Sequence, residues 1–238
     1  RNDINYYGLK NGVSSIIQEL IKKIKNKKLY LNSTLLNFYK KNNTYILNIN
    51  GYIYQTKALI LALPKPSLLN LNYFSNYFNE LNSINCKELC RIYTIFPNNW
   101  FQDLNKFTSN NKLRYVIPID KNNGVIMTSY TDSKYAQYWN KFIKLPQREL
   151  NKVIINEFNK VLPNKIPQPI NNIICYWNCG VSYWKPKIDS SIMSEKILRL
   201  NNNDNVFIIG ENYSNNQGWC EGALDSVEKL LYKFNFIN

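Results

Sequence analysis

Val206-Phe207-Ile208-Ile209-Gly210-Glu211-Asn212-Tyr213-Ser214, continued by Gln217-Gly218-Trp219-Cys220-Glu221-Gly222-Ala223-Leu224-Asp225-Ser226, is the stretch from which the fold is read. Four apolar residues make a short buried strand, and Gly210-Glu211 turns the chain sharply as it leaves. A polar loop follows, then a helix entered through Gly218 and Gly222. A strand–loop–helix unit of this kind brings the unpaired N–H groups of a helix N-terminus up to an anionic or electron-rich ligand. Having no side chain, Gly218 and Gly222 let the main chain approach a flat ligand closely.

Working upstream, residues Tyr6 to Lys28 read as a turn at Gly8 and Gly12 followed by an amphipathic helix. Val13, Ile16, Ile17, Leu20, Ile21 and Ile24 fall at helical spacing, and Lys22, Lys23, Lys25, Lys27 and Lys28 crowd the end where the macrodipole favours cations. Short strands follow: Leu29–Leu31 into Leu35–Tyr39, then Thr44–Ile49 and Tyr52–Gln55, with Asn50-Gly51 as the hairpin turn. The continuous apolar run Ala58–Leu63, stopped by Pro64, reads as a strand buried on both faces. From Ser67 to Lys187 the chain becomes more aromatic, punctuated by proline. Strands are expected at Cys90–Phe96, Leu113–Ile119, Gly124–Tyr130 and Ile173–Trp184, and a helix over Arg148–Val161.

The bulk composition narrows the chemistry. The 238 residues carry a formal charge of +14 and no histidine, which removes Ser-His-Asp and Cys-His nucleophile systems, HExxH zinc sites and histidine bases. Any chemistry therefore rests on a cofactor. The lysines are scattered, and heavy use of Lys, Asn and Ile along the whole chain fits an AT-rich coding genome, so nucleic-acid binding is not expected. Cys86, Cys90, Cys175, Cys179 and Cys220 form an odd set whose two C-x3-C pairs lack zinc-knuckle spacing. No metal site is expected; buried, reduced thiols and a cytoplasmic or other intracellular setting are. No apolar run reaches the length of a membrane span, and Arg1 in first place reads as a fragment or a processed piece.

The terminal unit resembles the C-terminal flavin-binding segment of the flavin-containing amine oxidase family, the monoamine and polyamine oxidases and their relatives. In that family a Gly-Glu after a strand and a Gly-aromatic-x-Glu-Gly-Ala helix start lie against the FAD. The order helix, Leu35-containing strand, hairpin and Ala62-Leu63-Pro64 is similar to a further part of its FAD-binding domain. Cys90–Phe96 with Trp100-Phe101 resembles a strand of its substrate domain. The implied fold class is α/β with mixed α+β character: a partial FAD-binding domain at 1–66 and 188–238, with a mixed-sheet substrate domain inserted at 67–187. The family's Gly-x-Gly-x-x-Gly turn for the pyrophosphate is missing, since none of the eight glycines stands two residues from another. A missing N-terminal FAD-binding half, in the same or another chain, is therefore an expected partner.

The resemblance also implies roles. Leu35, Ala62, Pro64, Gly210, Glu211, Gly218, Trp219, Cys220 and Ala223 would lie along the FAD, with Glu211 accepting a hydrogen bond from its ribityl or phosphate-linked region. Trp219 would form one aromatic wall of the substrate cage and Tyr183 or Trp184 the other. Arg91 stands where many members carry a lysine that holds a water and assists reaction with oxygen; arginine keeps the charge and does not titrate near neutrality. The implied activity is FAD-dependent oxidation of an amine, polyamines included, to an imine with oxygen as acceptor. Related members oxidise porphyrinogens or desaturate carotenoids. The alternative is a degenerate, non-catalytic relative kept as a structural or assembly component.

Overall fold

The computed structural model describes residues 9, 12–24, 28–97, 100–163 and 165–234. The expected turn at Gly8, and Lys25 and Lys27 of the basic run, lie outside them. The elements run α1 (Ser14–Lys23), β1 (Leu35–Lys41), β2 (Thr44–Ile49), β3 (Tyr52–Thr56), β4 (Leu59–Leu61), α2 (Lys65–Leu69) and α3 (Phe78–Leu81). They continue with β5 (Ile84–Ile95), β6 (Phe107–Thr108), β7 (Tyr115–Asp120), β8 (Val125–Asp132), α4 (Ser133–Asn140) and α5 (Gln147–Asn159). The last are β9 (Asn171–Trp184), α6 (Ser190–Leu198), β10 (Val206–Ile208) and α7 (Cys220–Lys233).

The first core gathers residues far apart in sequence. β1, β2 and β3 form an antiparallel meander, and Asn50 (φ 50°) and Gly51 (φ 90°) supply the left-handed pair a tight hairpin needs. Phe38, Tyr45 and Leu47 pack with Leu68, Phe74, Leu81 and Ile84, and with Ile197, Val206, Ile208 and Tyr213. β10 lies parallel to β4, with Val206 opposite Leu59 and Ile208 opposite Leu61. The Val206–Ser226 unit thus returns to the strand that began near residue 58. Asp204, just before β10, ties the layers together: it accepts from Lys40 Nζ and Tyr73 Oη at 2.5 Å each and from Asn201 Nδ2 at 2.8 Å.

A second core lies under a five-stranded sheet of order β6-β7-β8-β5-β9. Cys90, Ile92, Val116 and Ile126 pack on Ala136 and Trp139 of α4 and on Leu150, Ile154 and Phe158 of α5. A buried polar chain pins four elements: Thr128 of β8 donates to Thr94 of β5 at 2.7 Å, Thr94 to Asn172 of β9 at 2.9 Å, and Asn172 Nδ2 to Gln147 of α5 at 3.0 Å. Because β5 alternates, Cys90, Ile92 and Thr94 point into this core. The residues between them, Arg91 and Tyr93, point to the other face.

Three expectations need correction, and one expected element forms with its apolar stripe uncovered. Leu29–Leu31 forms no strand, and all three residues are exposed. Ala58–Leu63 yields only the three-residue β4, and it is not buried on both faces. Among the described residues β10 is its one partner, so Ile60 stays 46% exposed. The α1 helix forms as its periodicity requires, yet buries none of its residues: Val13, Ile17, Leu20 and Ile24 are all exposed. Finally, the cysteines are not all reduced. Cys86 and Cys179 form a disulfide across the antiparallel β5–β9 pair, because the bulge between Lys87 and Leu89 brings these two positions together. Cys90, Cys175 and Cys220 are free, and burial pushes the Cys90 thiol up to about 12.

Candidate functional site

A cleft of about 960 Å³ opens between the outer face of the five-stranded sheet and the loop that leads into α7. β5 contributes Leu89 and Arg91, β8 contributes Tyr130 to Asp132, and β9 contributes Gly180 to Tyr183. The opposite wall is Glu211 with Gln217, Gly218, Trp219 and Cys220. Segments separated by more than a hundred residues therefore meet around one space.

The second wall is a loop that holds its own shape. Glu211 accepts hydrogen bonds from the Gly218 N–H and, at 3.2 Å, from Asn212 Nδ2. Asn212 donates to Ser182 Oγ at 2.6 Å and accepts from the Lys65 N–H at 3.0 Å. Gln217 donates to the Asn212 carbonyl at 2.6 Å and accepts from the Trp184 N–H at 3.1 Å. Both free ends of the loop are thereby sewn to β9 and to the start of α2. Gly210 turns at φ 124° and its N–H donates to Ser226 Oγ of α7 at 2.8 Å. Gly222 serves a different approach from the one expected. A Cβ there would lie 2.2 Å from the Asn216 carbonyl oxygen and 2.3 Å from Ser214 Oγ, so its missing side chain lets α7 press against its own loop.

Arg91 sits on the floor of the cleft with its guanidinium 4.5 Å from the centre of the Tyr130 ring. Burial works against its charge, but Tyr130 and Tyr93 more than offset that and hold its pKa above the ordinary value. Tyr183 lines the cleft under Lys87, whose Nζ is 5.1 Å from the ring centre. Burial raises the Tyr183 hydroxyl, and Asp132 and Glu211 add to the effect, so it stays protonated. Trp219 is 73% exposed at the mouth. It precedes α7 without capping it by a side chain, and Cys220 is exposed beside it.

Not every candidate from the sequence reaches this cleft. Trp184 alternates with Tyr183 on β9 and faces the first core, where its Nε1 donates to the Ser214 carbonyl at 3.1 Å. Leu35, Ala62, Pro64, Gly210 and Ala223 do not line the cleft. Pro64 precedes α2, and Gly210 faces a small recess beside Ser226 and Lys229. Glu211 reaches the cleft, but both of its oxygens are engaged within its own loop. Arg114, Tyr115, Tyr130 and Tyr135 line the cleft and have no motif that marks them. For Arg114, Tyr115 and Tyr130 the signal is strand register: Tyr130 lies directly opposite Arg91 and bridges Arg114 on its other side, whereas Tyr135 comes in on α4.

The wall beside α7 suits the edge of a flat, electron-rich ring system. Gly218 turns at φ 100° with nothing within 4 Å of the place a Cβ would take. The uncapped N-terminus of a 14-residue helix follows it.

Comparisons with known proteins bear on the fold and the family. The fold is similar to a crystal structure of a putative protoporphyrinogen oxidase from Exiguobacterium sp. 255-15, with a TM-score of 0.76 at 14% identity. The match covers 96% of this chain and 52% of that one. An uncharacterized protein of Acanthamoeba polyphaga mimivirus is 29% identical over 122 residues, 44% of this chain and 24% of its own length. The chain thus spans about half of the solved relative, and the matched part is a quarter of the viral one. The family model for flavin-containing amine oxidoreductases matches residues 2–226, so the chain belongs to this family of flavin-dependent oxidoreductases.

Proposed function

We propose that this chain forms the substrate-facing part of an FAD-dependent enzyme that oxidises an amine to an imine, with dioxygen as the final acceptor. The FAD site is completed by a dinucleotide-binding part that carries the glycine-rich phosphate turn, in the same or another chain. The observation that carries this reading is the convergence of Arg91, Tyr183 and the Gln217–Cys220 segment on one cleft, in a chain matched to the family over residues 2–226. When bound, a flavin would supply the two-electron acceptor that oxidation of the carbon beside nitrogen needs, and the Gln217–Cys220 segment with Glu211 would hold its edge.

The chain's own residues supply place and field. Tyr183 and Trp219 offer aromatic surface on the two sides of the cleft, between which a substrate is flanked. The loop tied by Glu211, Asn212 and Gln217 keeps Gly218 and Trp219 from shifting, which matters because a displacement of about 1 Å costs roughly a hundredfold in rate. Arg91 contributes a fixed charge and exchanges no proton near neutrality. Three neighbouring features therefore orient the substrate, and none acts as a nucleophile.

The test is anaerobic mixing of the complete protein with primary, secondary and polyamine candidates while its visible spectrum is followed. Bleaching of flavin bands by an amine supports the reading. Flavin bands that no amine bleaches would point to the family's other electron donors instead.

A further inference from the structure

The 14-residue strand β9 ends the five-stranded sheet, and its pairing with β5 is broken in one place. Lys87 stands opposite Val181 and Leu89 opposite Trp177, so Glu88 of β5 alone faces Asn178, Cys179 and Gly180 of β9. Among the described residues these three have no ladder partner. A bulge of this kind leaves its main chain unpaired and bends the strand. It folds over Leu89: a Cβ on Gly180 would stand 2.3 Å from the Leu89 Cβ. Leu89, Gly180 and Val181 all line the cleft, so the bulge is part of its wall. The Cys86–Cys179 bond is what fastens it to β5.

The same bond reaches the loop on the opposite wall. Cys179 Sγ lies 4.0 Å from Ser182 Oγ. Ser182 is buried, and its hydroxyl accepts from Asn212 Nδ2 at 2.6 Å. Gln217 donates to the Asn212 carbonyl and accepts from the Trp184 N–H. The segment that carries Gly218 and Trp219 therefore rests on β9 just past the bulge. The bond is also within reach of solvent. Cys86 and Cys179 are half-buried, and each stands between exposed neighbours, Asn85 and Lys87 on β5 and Asn178 and Gly180 on β9. Among the described residues β9 has β5 as its one strand neighbour, so Cys179 is open from the sheet edge.

We propose that Cys86–Cys179 is a thiol-exchange site that takes a dithiol as its reductant, and that opening it loosens the cleft. A thiolate of the donor attacks Cys179 Sγ, the S–S bond breaks, and Cys86 leaves as a thiolate that takes up a proton. The donor's second thiolate then attacks its own sulfur in the mixed disulfide and frees Cys179. The donor ends as a disulfide, and two electrons and two protons have passed to the Cys86–Cys179 pair. With the bond open, residues 178–180 are released from β5 and Ser182 loses its fixed neighbour. The loop from Glu211 to Cys220 then moves more freely across the cleft. The site couples the thiol balance around the protein to the shape of the cleft, whatever the cleft holds.

The test is hydrogen–deuterium exchange of the complete protein, isolated without reductant, before and after treatment with dithiothreitol. Alkylation of the folded protein, read on the Cys86 and Cys179 peptides by mass spectrometry, reports whether the bond has opened. Both cysteines are expected to resist alkylation at first and to be alkylated after the dithiol. Exchange over residues 178–184 and 211–219 is expected to rise about tenfold or more, while β1 to β3 keep their rate. Cys86→Ser with Cys179→Ser is expected to exchange at the faster rate with or without dithiothreitol, which ties the effect to this bond. Three results would overturn the proposal without any variant needing to fold. One is a bond that dithiothreitol opens only after denaturation, or that is already open in the untreated protein. Another is an opened bond with exchange over 211–219 unchanged. The third is a rise as large in β1 to β3, the mark of a general loss of stability.

Discussion

Replacing Trp219 by alanine removes an indole that is 73% exposed, so the packing beneath it is left almost untouched. Trp219→Ala should lower kcat/KM by about tenfold to a hundredfold while flavin content and Tm hold, because the loss is one of substrate placement. Parallel falls in flavin content and rate would show instead that Trp219 only holds the fold. Gly222→Ala belongs at the same scale with the opposite signature. Its new methyl would meet backbone at 2.2 Å, so the variant should lose about 1–3 kcal/mol in denaturant titrations. Residue identity was legible where a motif surrounded it: Arg91, Tyr183, Glu211, Gly218, Trp219 and Cys220 all line the cleft. It was illegible where position depends on register or parity. Arg114 and Tyr130 come to the cleft through the pairing of β5, β7 and β8, Tyr135 on the first turn of α4, and Trp184 leaves it because one step along a strand changes the face.

The elements are held by a few long-range ties, and these make separate predictions. Burial pushes the Asp204 carboxyl up, but the hydrogen bonds from Lys40 and Tyr73 and the Lys40 charge more than reverse this, leaving its pKa below the usual aspartate value. A depressed carboxylate stabilises the fold above its unfolded pKa and loses that contribution as pH falls through the folded value. Stability should therefore decline below about pH 4, and Asp204→Asn should flatten that limb while costing about 1–3 kcal/mol at neutral pH. Chemical denaturation at several pH values reads both effects. The Cys86–Cys179 bond closes a loop across 93 residues of sequence. Cys86→Ser with Cys179→Ser should cost about 2–4 kcal/mol by the same assay. Elements with strong local signals, such as the Asn50-Gly51 hairpin, β10 and α5, were legible in the sequence. The disulfide was not, since it needs the β5–β9 bulge, and α4 was not, since its eight residues are mostly polar and aromatic.

At the scale of the whole molecule, the fold leaves apolar surface without cover. None of the residues of α1 is buried, and Ile53 of β3 and Ile60 of β4 are also exposed. We propose that the dinucleotide-binding part covers at least the α1 stripe. If so, Leu20→Glu should change the stability of this 238-residue chain by less than about 0.5 kcal/mol, yet loosen flavin retention in the complete protein. Unchanged retention would remove α1 from that interface. Among the described residues no helix is long and apolar enough to cross a membrane. The amine-oxidase order of strands, hairpin and terminal helix was readable at this scale because each carries its own turn or period. The open faces of α1, β3 and β4 were not, because exposure is set by packing partners and not by local periodicity. The measurement that tests the central claim most directly is the visible absorption spectrum of the complete protein as isolated, repeated after FAD is added. Flavin bands that stay with the protein through gel filtration are the predicted result. A protein that is colourless as isolated and stays colourless after FAD would contradict the account, leaving an amine-oxidase fold without its cofactor.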